Sequence, residues 1–260
     1  MSVTWNLAPG ARAIIPTNGN LLGTYMRGWW QASTEASHGC LLERVFMTRV
    51  DPAIPSKPGA VLLNMRSISR AILGPCTSTV PTTHEDFLEV MYVASGGGRV
   101  EAGDQACAVR EGSMVLFPAG MSHKLINDGC ESLELIIITN DREKDITAEK
   151  EFKHSNYHDN PITTTTSHWH HICYSVGVGG GVGTIVVGID AMRIAEPHGH
   201  GPDKFDEVWY QLKGTSLLLL GNEIGRQHVG QAFNCPPNVP HASINDSCEL
   251  MKWLYISMRE

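Results

Sequence analysis

Residues 196–214 read EPHGHGPDKFDEVWYQLKG, and residues 230–245 read GQAFNCPPNVPHASIN. Three histidines and one glutamate, His198, His200, Glu207 and His241, sit here in segments that otherwise alternate like β-strands and turns. Imidazole nitrogens together with a carboxylate oxygen make a mixed ligand set suited to a divalent first-row metal. A fainter copy of the pattern lies about 118 residues earlier. EVMYVASG (Glu89–Gly96) parallels EVWYQLKG (Glu207–Gly214), and GSMVLFPAGMSHKLIN (Gly112–Asn127) parallels GQAFNCPPNVPHASIN (Gly230–Asn245). In the second pair glycine, proline, histidine and asparagine recur at offsets 0, 6, 11 and 15.

Working outward, glycine (26) and proline (14) cut the chain into short apolar or β-branched runs such as LEVMYVAS, LELIIIT, GTIVVGI and SLLLLG. Such runs between turn formers predict an all-β sandwich or barrel. Helical periodicity is weak, and its best instance is the charged stretch Asp141–Phe152. With the polar KHSNYHDNPITTTTS that follows, it reads as the connection between two β domains, residues 1–150 and 151–260.

The totals exclude several function classes. A formal charge of −7 and the absence of a basic run argue against nucleic acid or an anionic membrane as partner. No apolar run approaches a membrane span, and the N-terminus does not read as a signal peptide. The seven cysteines are scattered, odd in number and without CxxC, which fits free thiols in a reducing cytoplasm.

These motifs resemble those of the cupin superfamily, in the form of a two-domain bicupin. The family's second motif, G-x5-P-x-G-x2-H-x3-N, is matched by Gly112, Pro118, Gly120, His123 and Asn127. It is matched again by Gly230, Pro236, His241 and Asn245, with Asn238 at the second glycine. Asparagine tolerates the left-handed conformation such a turn needs. The first motif, G-x5-H-x-H-x3,4-E-x6-G, is met by His198, His200, Glu207 and Gly214 with a longer gap before the glutamate. In the first half His84, Glu89 and Gly96 match, Thr82 stands at the first histidine, and both halves lack the leading glycine.

The resemblance implies two tandem jelly-roll barrels over roughly residues 60–139 and 184–256. It also implies that His198, His200, Glu207 and His241 point inward to hold zinc, manganese, nickel or iron. Trp209 and Gln211 then share the inner face of their strand, and Asn245 follows His241 at period two. Trp253 and Tyr255 line the same wall in one register and the outer wall in the other. These five residues are the expected substrate-binding or catalytic groups. The first barrel is left with His84, Glu89 and His123 among the apolar Met91, Val93 and Leu125. Thr82 is a poor ligand, so a degenerate supporting barrel is expected there, although two histidines and a carboxylate suffice for some iron sites.

Three other signals carry less. SHWHHI (His168, His170, His171) has no carboxylate at ligand spacing, and GVGGGVGT (Gly177–Thr184) fits no phosphate loop. Trp29 and Trp30, beside Met26 and Arg27, read as a patch that packs on the other barrel or a second subunit. Arg193 and Lys204 are the nearest cations to the second-half ligands, and alternation turns Arg193 away unless a bulge intervenes.

The expected function is a metal-dependent enzyme acting on a small hydroxylated or keto acid, such as a sugar acid, by isomerisation, elimination or hydrolysis. An iron-dependent dioxygenase and a non-enzymatic ligand-binding cupin are the alternatives. A homodimer joined through edge strands is the expected assembly.

Overall fold

The computed structural model describes residues 6–7, 20–54, 57–141, 151–164, 171–173, 182–200 and 205–259. Among them the only α-helix is Leu21–Tyr25, and nearly all other regular structure is β. Most of the expected connecting helix, residues 142–150, lies outside the described residues; its first residue, Asp141, ends the strand Leu133–Asp141.

Each half is built from a large and a small sheet. The first large sheet runs Lys153–Asn156, Ser113–Phe117, Phe87–Ser95, Leu133–Asp141, Ser67–Leu73, Leu41–Arg49 and Glu35–Ser37, with Ala60–Leu62 added beside Leu41–Arg49. Facing it is the sheet Gln105–Arg110, Gly97–Ala102, His123–Asn127 and Thr77–Ser78. In the second half the large sheet runs Ile162–Thr164, His171–Cys173, Val182–Ile189, Met251–Arg259, Phe205–Lys213, Gln231–Asn234 and Met26–Gly28. Its partner is Asn6–Leu7, Arg193–Gly199, His241–Asn245, Ser216–Leu220 and Glu223–Gln227.

This membership corrects the division at residue 150. Asn6–Leu7 and Met26–Gly28 belong to the second barrel, and Lys153–Asn156 to the first. The physical reason is edge protection. A strand exposed at a sheet edge leaves unpaired N–H and C=O groups; the second barrel covers edges with chain from before the first, and the first covers one with chain from the connection.

Alternation along the central strands assigns three cores. In Phe87–Ser95, Met91 and Val93 join the first barrel's interior, where Glu89 also points, while Leu88, Val90 and Tyr92 face outward. In Phe205–Lys213, Trp209 faces the second interior, and Val208 and Tyr210 face outward. The outward faces of both large sheets meet in one shared core that includes Phe46, Met114, Ile136, Leu254 and Ile256. Each such side chain contributes roughly 1.5–3 kcal/mol on burial, which makes this junction hydrophobic core rather than a docking surface. The strands are therefore buried on both faces, and their apolar runs lack the polar half of a simple alternation.

Asp206 ties the junction. Its carboxylate accepts hydrogen bonds from the backbone N–H of Leu63, Asn64 and Met65 at 2.6, 2.7 and 2.7 Å. Burial pushes its pKa up against the pull of those three donors. The loop of one barrel is thus fixed to the strand that carries Glu207 of the other. Trp29 is part of the same join: the guanidinium groups of Arg70 and Arg44 lie 4.5 and 5.0 Å from its ring, which is the expected packing on the other barrel.

Candidate metal centres

In the second barrel His198 lies near the end of strand Arg193–Gly199, and His241 opens strand His241–Asn245 directly opposite it. Glu207 comes from the adjoining face of the large sheet. His200 is held by the turn after its strand, where the Asn238 N–H bonds the His200 carbonyl at 2.9 Å. Asn238 has φ +62°, as Gly120 has φ +82° at the matching turn, so asparagine does take the left-handed conformation there. One ligand atom from each of His198, His200, Glu207 and His241 falls within 4.8 Å of all the others. A shared ion with bonds of about 2.1 Å spaces its ligands by roughly 3–4.2 Å, so this cluster is close to ligation geometry.

The surroundings aim these atoms. Nδ1 of His198 lies 2.8 Å from the Glu196 carbonyl and Nδ1 of His241 lies 3.0 Å from that of Val239. Donation there leaves Nε2 as the ligand atom. The Trp209 indole N–H donates to Oε1 of Glu207 at 2.8 Å and leaves Oε2 facing the histidines. The Nε2 atom of His241, fully buried, makes no hydrogen bond. Burial would raise the Glu207 pKa, but contact with His200 and the field of His241, His200 and His198 bring it down to about 2. Burial takes His241 down to about 3, against the attraction of Glu207.

The first barrel holds an equivalent cluster with one member from outside the motif. Oε2 of Glu89 lies 3.1 Å from Nε2 of His123, 3.4 Å from that of His38 and 3.6 Å from that of His84. The four ligand atoms again fall within 4.8 Å of one another. Thr82 does occupy the backbone position of His198: it bridges His123 in both directions at 2.9 Å, as His198 pairs with His241. The expected three-membered set is therefore corrected to four donors, because His38 reaches in from the turn between Glu35–Ser37 and Leu41–Arg49. His38 has φ +49°, a strained position for a side chain with a Cβ, and strain of this kind gathers at functional sites. The only sequence signal was an HG pair in a turn before a strand. Glu89 is held well below the carboxylate range: burial alone would raise it, and His123, His38 and His84 more than reverse that. Burial pulls His38 down, but Glu89 and Glu43 leave it raised. His123 Nδ1 faces the Met121 carbonyl at 3.1 Å, and Phe117 stacks on its ring at 4.1 Å.

The remaining expected site residues separate into two kinds. Trp253 and Tyr255 lie on the inner wall, opposite Gln211 and Trp209 in register. Trp253 stacks on Trp209 at 5.2 Å, and its indole N–H is buried without a hydrogen bond. The hydroxyl of Ser243, two residues after His241, is buried and equally unsatisfied. Gln211 and Asn245, in contrast, are occupied by the protein. Gln211 donates to the Lys213 carbonyl at 2.8 Å and lies 3.4 Å from the Ser216 hydroxyl, which also meets Gln227. Asn245 donates to the carbonyls of Ile189, Asp190 and Glu249 and accepts from the N–H and hydroxyl of Ser247. Asn127 makes the same bonds to Leu73, Gly74, Glu131 and Gly129. The substrate-binding expectation for Asn245 is thus corrected: it closes a turn in the wall of the barrel.

A register shift between Ala195 and His198 puts Arg193 opposite Asn245, exposed at the far end of its strand from the donors. Lys204, His168 and His170 lie outside the described residues, as does Gly177; His171 belongs to strand His171–Cys173. Cys40, Cys76, Cys107, Cys130, Cys235 and Cys248 are free, and among the described residues no helix is long and apolar enough to cross a membrane.

A pH dependence follows for the metal-free chain. His241 binds no proton in the folded state above about pH 3 but binds one in the unfolded chain below its ordinary value of 6.5. Its contribution is complete above that ordinary value and falls as the pH drops toward 3, by up to about 1.4 kcal/mol per pH unit. Glu207, depressed from 4.5 to about 2, adds a loss of the same sign below its ordinary value. Denaturant midpoints of metal-free protein are expected to be lower at about pH 5 than at about pH 7.5, with a smaller difference in His241→Gln. An equal difference in both proteins would refute this assignment.

Residues 69–139 match the cupin domain family. No curated protein sequence matches the chain. Among solved structures, AerE from Microcystis aeruginosa superposes with a TM-score of 0.70 at 13% identity, covering 91% of this chain and 100% of its own. The Lactobacillus farciminis oxalate decarboxylase in its formate complex gives 0.70 at 15% identity, over 94% and 88%. Procruciferin, an 11S globulin from Brassica napus, gives 0.70 at 10%, over 92% and 85%. At these identities the likeness establishes the two-barrel fold and leaves the reaction open.

Proposed function

We propose that this two-barrel chain, whose residues 69–139 match the cupin domain family, is a metal-dependent enzyme acting on a small hydroxylated or keto acid by isomerisation, elimination or hydrolysis. His198, His200, Glu207 and His241 would hold the ion of the active barrel, and His38, His84, Glu89 and His123 a second one. The donors fit such an ion: Nε2 of His123 and His241 and Oε2 of Glu89 are buried, convergent and without a hydrogen bond, and buried polar atoms rarely remain so. When bound, a divalent ion supplies Lewis-acid polarisation of a carbonyl or hydroxyl oxygen.

The observation that supports the second barrel as the substrate site is its pair of unsatisfied buried polar groups, the Trp253 indole N–H and the Ser243 hydroxyl. The interior cluster of the first barrel is apolar, with Met91, Val93, Leu125 and Phe117 around the ligands. In this reading Trp253 and Ser243 hydrogen-bond a substrate oxygen, Trp209 keeps Glu207 oriented, and Tyr255 on the same wall moves the proton. The oxalate decarboxylase among the fold neighbours, solved as a formate complex, supports a small carboxylic acid as substrate class.

The test is a screen of sugar acids and small keto acids with metal-loaded protein, run with and without oxygen, followed by Trp253→Phe and Ser243→Ala. Each variant is expected to keep its metal and lose about tenfold or more in kcat/KM, the effect of one buried hydrogen bond. Unchanged kcat/KM in both would remove these residues from the site. Turnover that requires oxygen would replace this reading with the dioxygenase, which the apolar wall of the first centre favours. Binding without turnover would leave a ligand-binding protein.

The free cysteines accord with the proposed cytoplasmic location. A homodimer is also proposed: strand Glu223–Gln227 ends its sheet with Ile224 66% exposed, an edge that a second copy would cover. Light scattering should give twice the mass of one chain, and a monomer at micromolar concentration would contradict it.

A further inference from the structure

Two adjoining cavities of ≈500 and ≈530 Å³ lie outside both donor sets, where the edge strand Met26–Gly28 of the second barrel meets the hairpin of Glu35–Ser37 and Leu41–Arg49. They share Arg27, Gln31, Lys57 and Pro58. Clefts between domains are common places for small ligands.

Arg27 is the unusual group. It is half-buried, its Nη2 donates to the Gln31 carbonyl at 2.8 Å, and its Nε is buried without a hydrogen bond. Among the described residues no carboxylate stands within ion-pair distance of Arg27 or of Lys57. The chain nevertheless makes room for the guanidinium. A Cβ at Gly59, which has φ +82°, would meet Nη1 of Arg27 at 2.5 Å and the Phe46 carbonyl at 2.4 Å. A half-buried cation held beside a cavity, with no counter-charge from the described residues, is placed to take an anion from solution.

The charges around the cleft restrict the ligand. The ≈530 Å³ cavity has Arg27 and Lys57 and, among the described residues, no acidic residue in its lining. The other adds Glu35 and Glu43, which would repel the far end of an extended polyanion. We propose that the cavity bounded by Arg27, Lys57 and Gly59 binds one compact anion, a carboxylate or a phosphate, through the Arg27 guanidinium and the Lys57 ammonium. Arginine offers a planar fork matched to either group, and lysine adds a point charge.

Isothermal titration calorimetry of the full chain with inorganic phosphate, and separately with acetate, at constant ionic strength tests this. One of the two is expected to bind, and Arg27→Gln is expected to weaken that anion about tenfold or more. The double variant His123→Ala/His241→Ala is expected to leave the affinity unchanged, because the site is separate from both metal centres. Should Arg27→Gln fail to fold, Lys57→Gln carries the test, because Lys57 is exposed; it is expected to weaken the anion severalfold. No binding of either anion, or binding that Arg27→Gln and Lys57→Gln leave unweakened, would overturn the proposal, as would binding lost with the histidines.

Discussion

Replacing His241 with alanine is expected to leave one bound ion per chain where the parent protein is proposed to hold two, and to lower turnover by about a thousandfold or more. His241 is fully buried and its Nε2 has no partner inside the protein. The substitution removes one of four donors and opens the ligand shell to water, while the strands around it keep their pairing. The fold should therefore survive. The metal-free variant should even tolerate mild acid better, because the depressed histidine is gone. His38→Ala is the counterpart in the first barrel and should remove the other ion. Elemental analysis, kinetics and circular dichroism on both variants read these outcomes. If His241→Ala kept two ions and full turnover, the second centre would be misassigned.

Asn245→Ala is expected to cost about 2–4 kcal/mol of stability with kcat/KM per folded molecule changed by less than about threefold. Its amide donates to three carbonyls and its oxygen accepts from Ser247, so alanine strands several polar groups at the end of the strand. Asn127→Ala should behave alike, since the same bonds recur there. Denaturant midpoints and kinetics on the soluble fraction separate the two quantities. A stable Asn245→Ala protein with weakened substrate affinity would return this residue to the substrate site.

What the sequence made legible is what local geometry enforces. Glycine, proline and asparagine at fixed offsets mark turns, and Gly120 and Asn238 do take up the left-handed conformation. Strand alternation correctly grouped Glu207, Trp209 and Gln211, and the pairing put Trp253 and Tyr255 on the same wall. The misses come from long-range pairing. His38 joins ligands 46 to 85 residues further along the chain, and only the fold brings its turn over Glu89. Strands Asn6–Leu7 and Met26–Gly28 join the second barrel although the strands that follow them build the first, and Lys153–Asn156 stays with the first, which no local pattern specifies. Asn245 has the right periodicity to face a ligand, but the carbonyls that capture it belong to residues 189, 190 and 249.

The central claim is that both clusters hold a divalent ion. Crystals of protein loaded with manganese, measured for anomalous scattering, test it most directly. The account predicts two peaks per chain, one between His38, His84, Glu89 and His123 and one between His198, His200, Glu207 and His241. No peak at either cluster, or peaks at other residues alone, would contradict it.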